Sequence, residues 1–255
     1  MAKFFSALIS LKEATLDSPC GITVSTSVAE TTRTLRIFSY AGDDGPYGAI
    51  SQMPYLGNIN NPFKDVRDTA SGSDEFGHGH YKAVTGSNIT IKLGASNHSG
   101  IYQYTFPEDG TANVVVDVSH VFQPSKEQGL EYKAGSFEMT SSRSYMGTGH
   151  YIDRNDTTYK ISFCGYFDVD AIGKHALVPD INSLAATNIS AATVFESDGK
   201  TLNMIKPNQD GKIHRALSNN RIAAVFTFSN TTVISRVGIS MNNAKEACEN
   251  VNAES

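Results

Sequence analysis

The residues with the clearest chemical potential are two carboxylates in a glycine-rich stretch near the start of the chain. Asp43 and Asp44 precede Gly45, and Tyr47 follows two residues later. Carboxylate oxygens accept hydrogen bonds from sugar hydroxyl groups, and a tyrosine ring can stack on the face of a sugar. An ordinary Asp-Gly turn is the alternative explanation. We therefore predict that any carbohydrate contact involves Asp43, Asp44 and Tyr47.

Two other pairs of residues have a spacing that a metal ion could use. His78 and His80 lie two residues apart in a glycine-rich segment, where both imidazoles could face one ion if the chain is extended. Asp168 and Asp170 have the same spacing and could hold calcium. Surface histidines are common, and a solvated strand end explains the aspartates equally well. We therefore assign no metal site.

The familiar phosphate-binding, dinucleotide-binding and serine-nucleophile motifs are absent from the sequence. It contains no phosphate-binding loop and no G-x-S-x-G nucleophile elbow. The segments that begin at Gly77 and Gly147 start like dinucleotide-binding fingerprints but lack the third glycine, so we predict that both are loops. No catalytic residue and no cofactor are predicted for this chain.

The three cysteines, Cys20, Cys164 and Cys248, are widely spaced and form no C-x-x-C pair. This spacing argues against a zinc site and allows at most one disulfide. Because free cysteine is among the most buried residue types, we expect buried thiols.

Charge and hydropathy exclude two classes of partner. The chain has 21 Lys and Arg against 26 Asp and Glu, a net charge of −5, and no basic run, which excludes nucleic-acid binding. No apolar stretch approaches the roughly 18 residues of a membrane-spanning helix. The first residues, MAKFFSALISL, resemble a short signal peptide without a clear cleavage site, so secretion stays open on this point.

Asparagine-x-Ser/Thr sequons favour a secreted ancestor. Each of them is also explained as an ordinary turn or strand residue. They occur at Asn88, Asn97, Asn155, Asn188 and Asn230.

From about residue 80 onward the sequence has the pattern of an all-β region. Ile101–Phe106 and Asn113–Ser119 flank the turn sequence PEDG, which predicts a hairpin. Tyr159–Asp168, with the sequence YKISFCGYFD, carries rings on both faces and predicts an inner strand. Asp198-Gly199 predicts a second hairpin, and Arg221–Ser240 predicts two long strands.

Aromatic residues at alternate positions also point to a core. Tyr102, Tyr104 and Phe106 share one strand face. Such a stripe is more often buried than a platform for a ligand.

The end of the chain changes to a helical period. Ala244, Ala247, Cys248 and Val251 fall at helical spacing. Asn243 and Glu246 resemble a capping box at the start of this helix.

The beginning of the chain is harder to interpret. Residues 39–68 are rich in glycine and proline, which predicts a long loop. Loops of that length in a compact domain are usually functional or poorly ordered.

Several stretches, in their order, resemble the amino-terminal domain of glycosyl hydrolase family 92, the α-mannosidases, in its fungal and secreted form. The resemblance covers roughly residues 46 to 255. The stretches are PYGAISQMPYLG, GHYKAVTGSNITIKLGASNHSGIYQYTFP, VVVDVSHVF, YKISFCGYFD and AAVFTFSNTTVISRVGISMNNAKEACENVNAE.

The resemblance implies a large β-sandwich of the galactose-mutarotase-like kind with a short C-terminal helix. In complete members a linker and an α/α-barrel domain follow, and such enzymes cleave terminal α-linked mannose with inversion, using calcium. The resemblance also implies that the acid, the base and most of the calcium ligands come from that second domain. Mannose-containing glycans and an α/α-barrel domain are therefore the expected partners, and the expected location is secreted or extracellular.

The sequence departs from the family pattern near its start. The glycine-rich opening segment typical of the family is missing before residue 40, and the HDDGTGG-like loop keeps Asp43, Asp44 and Gly45 without the histidine. The absence of tryptophan excludes a tryptophan platform for mannose. We therefore predict a poorly matched segment at 1–40, as a truncated or wrongly joined reading frame would produce, a sandwich domain at 41–241 and the start of a linker helix at 242–255.

The expected function is that of a carbohydrate-binding or scaffold domain without hydrolytic activity of its own. One alternative is a subunit of a calcium-dependent inverting α-1,2-mannosidase that a separate catalytic domain completes in trans. An exposed apolar stripe on the terminal helix would favour this alternative, because such a stripe needs a partner. Another alternative is a non-functional truncated gene product.

Overall fold

The computed structural model describes residues 26–29, 32–35, 40–42, 45–47, 49–77, 80–121, 130–172, 192–208 and 212–254. Cys20, Asp43, Asp44, His78 and Asn188 lie outside these residues. The proposed domain boundaries stay a prediction.

The first half of the described chain contains strands and turns and no helix. The strands are β1 (Thr26–Ala29), β2 (Thr32–Leu35), β3 (Tyr40–Gly42), β4 (Gly45–Tyr47), β5 (Ala49–Leu56), β6 (Ala70–Gly77), β7 (His80–Thr85), β8 (Thr90–Ala95) and β9 (Ser99–Thr105).

The second half continues with strands and ends in a helix. The elements are β10 (Ala112–Val121), β11 (Glu131–Met139), β12 (Ser144–Ile152), β13 (Thr158–Phe167), β14 (Ala192–Ser197), β15 (Leu202–Ile205), β16 (Ile213–Ser218), β17 (Arg221–Phe228), β18 (Thr232–Ser240) and α1 (Ala244–Glu254). No helix in the described ranges is long and apolar enough to cross a membrane.

Two antiparallel sheets make up the body of the domain. One has five strands in the order β15-β14-β17-β10-β5, and the other has nine in the order β16-β11-β12-β13-β18-β9-β8-β7-β6. The larger of two buried apolar clusters takes side chains from both sheets, including Val114, Phe226, Tyr145 and Phe163. The predicted large β-sandwich with a short C-terminal helix is therefore confirmed.

A buried polar network joins the two sheets inside this core. The side chain of Gln52, on β5, donates to the hydroxyl oxygens of Tyr145 (3.1 Å) and Ser235 (2.9 Å) on the nine-stranded sheet. Its carbonyl oxygen accepts from the Tyr104 hydroxyl at 3.0 Å. Because buried polar groups are stable only when paired, this network fixes how the sheets face each other.

The strand patterns of the sequence are confirmed for several segments. YKISFCGYFD forms the inner strand β13, between β12 and β18, and Asp198-Gly199 connects the paired strands β14 and β15. Tyr102, Tyr104 and Phe106 are buried, as expected for a core stripe. The two long strands predicted within Arg221–Ser240 are β17 and β18.

The predicted hairpin across PEDG is wrong. β9 pairs with β8 and β18, whereas β10 pairs with β17 and β5 in the other sheet. The connection crosses the roughly 10 Å between packed sheets instead of turning back within one. A second crossing joins β17 to β18, and the Phe106 amide donates to the Thr231 carbonyl oxygen at 2.7 Å where the two crossings meet.

Two predicted loops contain strands. Ala49–Leu56 forms β5 within the segment predicted as a long loop, and its position at the edge of the five-stranded sheet accommodates Pro54. Gly147 lies in β12 and not in a loop. A Cβ atom there would lie 2.3 Å from the Ser136 carbonyl oxygen and 2.5 Å from the Phe163 ring, so the close packing leaves no room for a side chain.

The terminal helix begins as its sequence predicts. The Glu246 amide donates to the Asn243 side-chain oxygen at 2.9 Å, which confirms Asn243 as the cap. The Glu246 carboxylate accepts from the Asn242 side chain at 2.6 Å. Ala247 and Val251 are buried against the sheet, so the apolar stripe is docked.

The expectation of buried free thiols is wrong for two of the three cysteines. Cys164 on β13 and Cys248 on α1 form a disulfide across 84 residues of sequence. Nothing in the sequence indicated this pair, because only the docking of α1 on the outer face of β13 brings the two residues together. Cys20 lies outside the described residues.

Candidate functional site

The predicted sugar-binding residues lead into one end of the sandwich. Tyr47 is the last residue of β4, and β5 begins two residues later at Ala49. Ala49 pairs with Val121 at the end of β10. Two residues of chain span at most about 7 Å, so the backbone of Tyr47 lies close to this end. Asp43 and Asp44, between β3 and β4, lie outside the described residues.

The backbone at this end is irregular. The register between β5 and β10 shifts between Asp117 and Val121, which marks a β-bulge. Ile50, opposite the shift, has a φ of 54°, in the left-handed region that β-branched residues avoid. Strained residues of this kind cost about 1–3 kcal/mol and cluster at functional sites. We call this part of the sandwich the bulged end.

A buried aspartate and an arginine form one half of a polar cluster at the bulged end. The Arg221 guanidinium donates to Asp117 at 3.3 Å and to the Ser119 hydroxyl at 3.2 Å. The other Asp117 oxygen accepts from the Ser119 amide (2.9 Å) and hydroxyl (2.6 Å). The same guanidinium lies 4.3 Å from the centre of the Phe63 ring, a cation–π contact.

A glutamate and a second arginine form the other half. One oxygen of Glu196 accepts from Arg215 at 2.6 Å, from the Ser218 hydroxyl at 2.8 Å and from the Asn220 amide at 2.8 Å. Burial raises the pKa of Glu196, but hydrogen bonds from Arg215, Ser218 and Asn220 outweigh it, so the net pKa is lowered. This carboxylate stays ionised.

Tyr132 lies near both halves of the cluster. Its hydroxyl donates to the Asn220 carbonyl oxygen at 2.9 Å. Burial raises its pKa, and the carboxylates of Asp117 and Glu196 raise it further. The phenol therefore stays protonated. We call Asp117, Glu196, Arg215 and Arg221 the arginine–carboxylate cluster.

The chemistry of this cluster suits fixed hydrogen bonding better than proton transfer. A general acid for glycoside cleavage needs a raised pKa, and the pKa of Glu196 moves the other way. The Asp117 and Glu196 carboxylates are already engaged with arginines. The cluster thus stabilises the strands that adjoin the predicted sugar contacts.

The sequence could not have located this cluster. Asp117 and Arg221 are separated by 104 residues, and only the pairing of β10 with β17 brings them together. The one local signal was a charged residue in each of two mostly apolar strands, Asp117 in β10 and Arg221 in β17.

The other residue pairs considered for metal binding are placed differently. His80 is exposed at the start of β7, and His78 lies outside the described residues. Asp168 accepts from the Ile234 amide at 2.7 Å. Asp170 is bound by Arg143 at 2.6 Å and by Ser142, and these hydrogen bonds lower its pKa to about 2. Among the described residues, no group of three or more metal-binding side chains occurs.

The family comparison gives a clear match. Residues 31–240 match the glycosyl hydrolase family 92 N-terminal domain. No curated protein sequence matches the chain.

Solved structures with the same fold include family 92 glycosyl hydrolases, among them two mannosidases. The inverting mannosidase BT2199 from Bacteroides thetaiotaomicron is similar at 15% identity and a TM-score of 0.64, over 92% of this chain and 30% of its own. The α-mannosidase BT3965 from the same organism is similar at 14% identity and a TM-score of 0.68, over 92% of this chain and 32% of its own. The family 92 glycosyl hydrolase ccman5 is similar at 13% identity, with a TM-score of 0.61. The chain thus spans about a third of the length of these proteins.

Proposed function

The chain belongs to the glycosyl hydrolase family 92 N-terminal domains, and from this premise we propose that it is the carbohydrate-binding and scaffold domain of an α-mannosidase-like glycoside hydrolase. The observation that carries the proposal is the family match over residues 31–240. The ligands are mannose-containing glycans. The partner is an α/α-barrel catalytic domain, and calcium acts in the complete enzyme.

The bulged end is where we propose that the sugar binds. Tyr47 ends β4 there, two residues before β5 begins and three before the strained backbone of Ile50. Asp43 and Asp44 supply carboxylate acceptors for sugar hydroxyls, and Tyr47 supplies a ring for stacking. The arginine–carboxylate cluster holds the neighbouring strands in place, so the contacts rest on a rigid support.

We propose that the chain does not cleave glycosidic bonds by itself. Inverting hydrolysis needs a general acid and a general base on opposite sides of the bond, with room for water. The lowered pKa of Glu196 and the ion pair of Asp117 support this view, since neither group offers a proton to a leaving group. Incubation of the folded chain with an α-mannoside should release no mannose, and measurable release would contradict the proposal.

Completion in trans by a separate catalytic domain has less support. That arrangement would be favoured by an exposed apolar stripe on α1. Ala247 and Val251 are instead buried, and Ala244 is half-buried.

Secretion is part of the proposal. The Cys164–Cys248 disulfide supports it, because structural disulfides persist mainly in oxidising compartments.

The binding experiment is a calorimetric titration of the purified, monodisperse chain with mannose and α-mannobiose, with and without calcium. We expect saturable binding that is lost in the double variant Asp43→Ala/Asp44→Ala. The matched control is Glu108→Ala/Asp109→Ala, which removes two exposed carboxylates from the turn at the opposite end of the sandwich. Binding that survives the first double variant would remove these residues from the site. A folded chain that binds neither sugar would leave the domain a scaffold only.

A further inference from the structure

Four sequon asparagines lie in the described part of the chain, and all four are exposed in connections between strands. Asn88 lies between β7 and β8, Asn97 between β8 and β9, Asn155 between β12 and β13, and Asn230 between β17 and β18. The sequence pattern alone would also allow such asparagines within buried strands. Each of the four can therefore carry a large group without displacing packed atoms.

The side-chain amides of these asparagines take no part in the hydrogen bonds described for the fold. Within the described ranges, none of the four donates a side-chain hydrogen bond. Asparagines outside sequons behave differently, since several use the amide inside the fold. Examples are Asn113 to the Gly57 carbonyl oxygen, Asn220 to Glu196, Asn242 to Glu246 and Asn250 to the Ile239 carbonyl oxygen.

A second and independent observation concerns the compartment. The Cys164–Cys248 disulfide requires an oxidising environment during folding. Asparagine glycosylation in secreted proteins acts on surface sequons of this type. The disulfide and the exposed sequons thus point to the same environment from unrelated residues.

We propose that Asn88, Asn97, Asn155 and Asn230 carry N-linked glycans. At each site the side-chain nitrogen bonds to the anomeric carbon of an oligosaccharide donated from a lipid diphosphate. The bond from that carbon to the diphosphate breaks, one amide proton is released, and the lipid diphosphate leaves. No oxidant or reductant takes part.

The glycans would occupy both ends of the nine-stranded sheet. Thr90 and Thr232, the sequon hydroxyl residues of Asn88 and Asn230, both pair with Thr105 on β9, so these two sites lie at one end. Asn97 and Asn155 lie at the other end, where β18 finishes and α1 begins. The Asn97 turn is also tied to α1, because the Glu254 carboxylate accepts from the His98 amide at 2.8 Å.

The test is peptide mass spectrometry of the protein purified from the organism that makes it, before and after treatment with a peptide N-glycosidase. We expect an attached glycan at each of the four asparagines and conversion to aspartate after treatment. Asn219 is the internal control, because it is exposed in the β16–β17 connection but is not part of a sequon. A site found unmodified loses its assignment, and four unmodified sites overturn the proposal.

Variants assign the sites one by one in a eukaryotic secretory host. Asn97→Gln, Asn155→Gln and Asn230→Gln should each remove the mass of one glycan while leaving the thermal unfolding of the deglycosylated chain unchanged. Asn88 has a φ of 59°, which favours asparagine, so Thr90→Val removes that sequon without straining the turn. A variant that keeps the full glycan mass contradicts the assignment of its site.

This inference does not depend on sugar recognition by the bulged end. Titrations with mannose are made on the deglycosylated chain, so a failure of binding and a failure of glycosylation are seen separately.

Discussion

The two faces of the nine-stranded sheet are covered in different ways. The inner face packs on the five-stranded sheet through large side chains, and the Tyr145 ring lies within about 6 Å of the rings of Phe163, Phe167 and Phe226. The outer face receives α1, which buries only Ala247 and Val251 fully. The first face is held by packing. The second needs a covalent bond and polar contacts, because a short helix with two buried side chains gains little from apolar burial.

Glycines on both faces allow these different coverings. A Cβ atom at Gly165 would lie 2.2 Å from the Tyr145 ring on the inner face. One at Gly238 would lie 2.2 Å from the Ala247 carbonyl oxygen under the helix. The missing side chain of Gly165 therefore makes room for a ring on one face of the sheet, and that of Gly238 makes room for helix backbone on the other.

Among the substitutions considered, the largest loss of unfolding free energy should come from the inner face of the nine-stranded sheet. Tyr145→Ala removes a fully buried ring and should lower the free energy of unfolding by about 3–5 kcal/mol, measured by chemical denaturation. Tyr166→Ala, on the outer face of the same sheet, is the control and should cost about 1 kcal/mol or less. Equal losses from the two variants would break the distinction between the faces.

The covalent bond of the outer face should rank next. Cys164→Ala/Cys248→Ala should lower the free energy of unfolding by about 2–4 kcal/mol, because the bond constrains a long loop in the unfolded chain. A reducing agent should lower the free energy of unfolding of the original chain by a similar amount and leave that of the double variant unchanged. If reduction has no effect on the original chain, packing alone holds α1.

Disrupting the buried polar network around Gln52 should lower the free energy of unfolding less than removing the Tyr145 ring. Gln52→Leu leaves the Tyr104 hydroxyl without its acceptor and should cost about 1–3 kcal/mol. Gln103→Leu changes a half-buried glutamine on the outer face and should stay within about 0.5 kcal/mol. A neutral Gln52→Leu would mean that apolar packing alone sets how the sheets face each other.

The smallest effect concerns the end of α1 and depends on pH. Burial raises the pKa of Glu254, but hydrogen bonds from Ser96 and His98 outweigh it, so the net pKa is lowered. A lowered pKa in the folded state means that the carboxylate stabilises the fold above its ordinary pKa of 4.5, and that this contribution is lost as the pH falls through the folded value.

Glu254→Gln should therefore cost about 1 kcal/mol at neutral pH, and the difference from the original chain should shrink in acid. Denaturation curves recorded from neutral to acidic pH measure this difference in the free energy of unfolding. Glu249→Gln, exposed on the same helix and paired with Lys245, should differ little from the original chain at any pH. A difference that grows in acid would contradict the role of Glu254.

The sequence predicted local structure well where local rules govern it. The cap at Asn243 and the inner strand at Phe163 follow from side-chain spacing alone. It also identified Ile101–Phe106 and Asn113–Ser119 as strands but paired them wrongly, because a turn sequence fits a crossing between sheets as well as a hairpin. It also failed at β5, where proline and glycine suggested a loop but an edge strand tolerates them.

Alternation and turn residues in the sequence therefore determined which segments form strands, and the family motifs determined the kind of sandwich they build. The tertiary structure alone decided that Cys164 meets Cys248, that Asp117 meets Arg221, and that Gln52 reaches across to Tyr145. The reason is physical: strand formation depends on neighbours a few residues away, whereas these contacts depend on which strands pair and which faces pack, and that choice belongs to the chain as a whole.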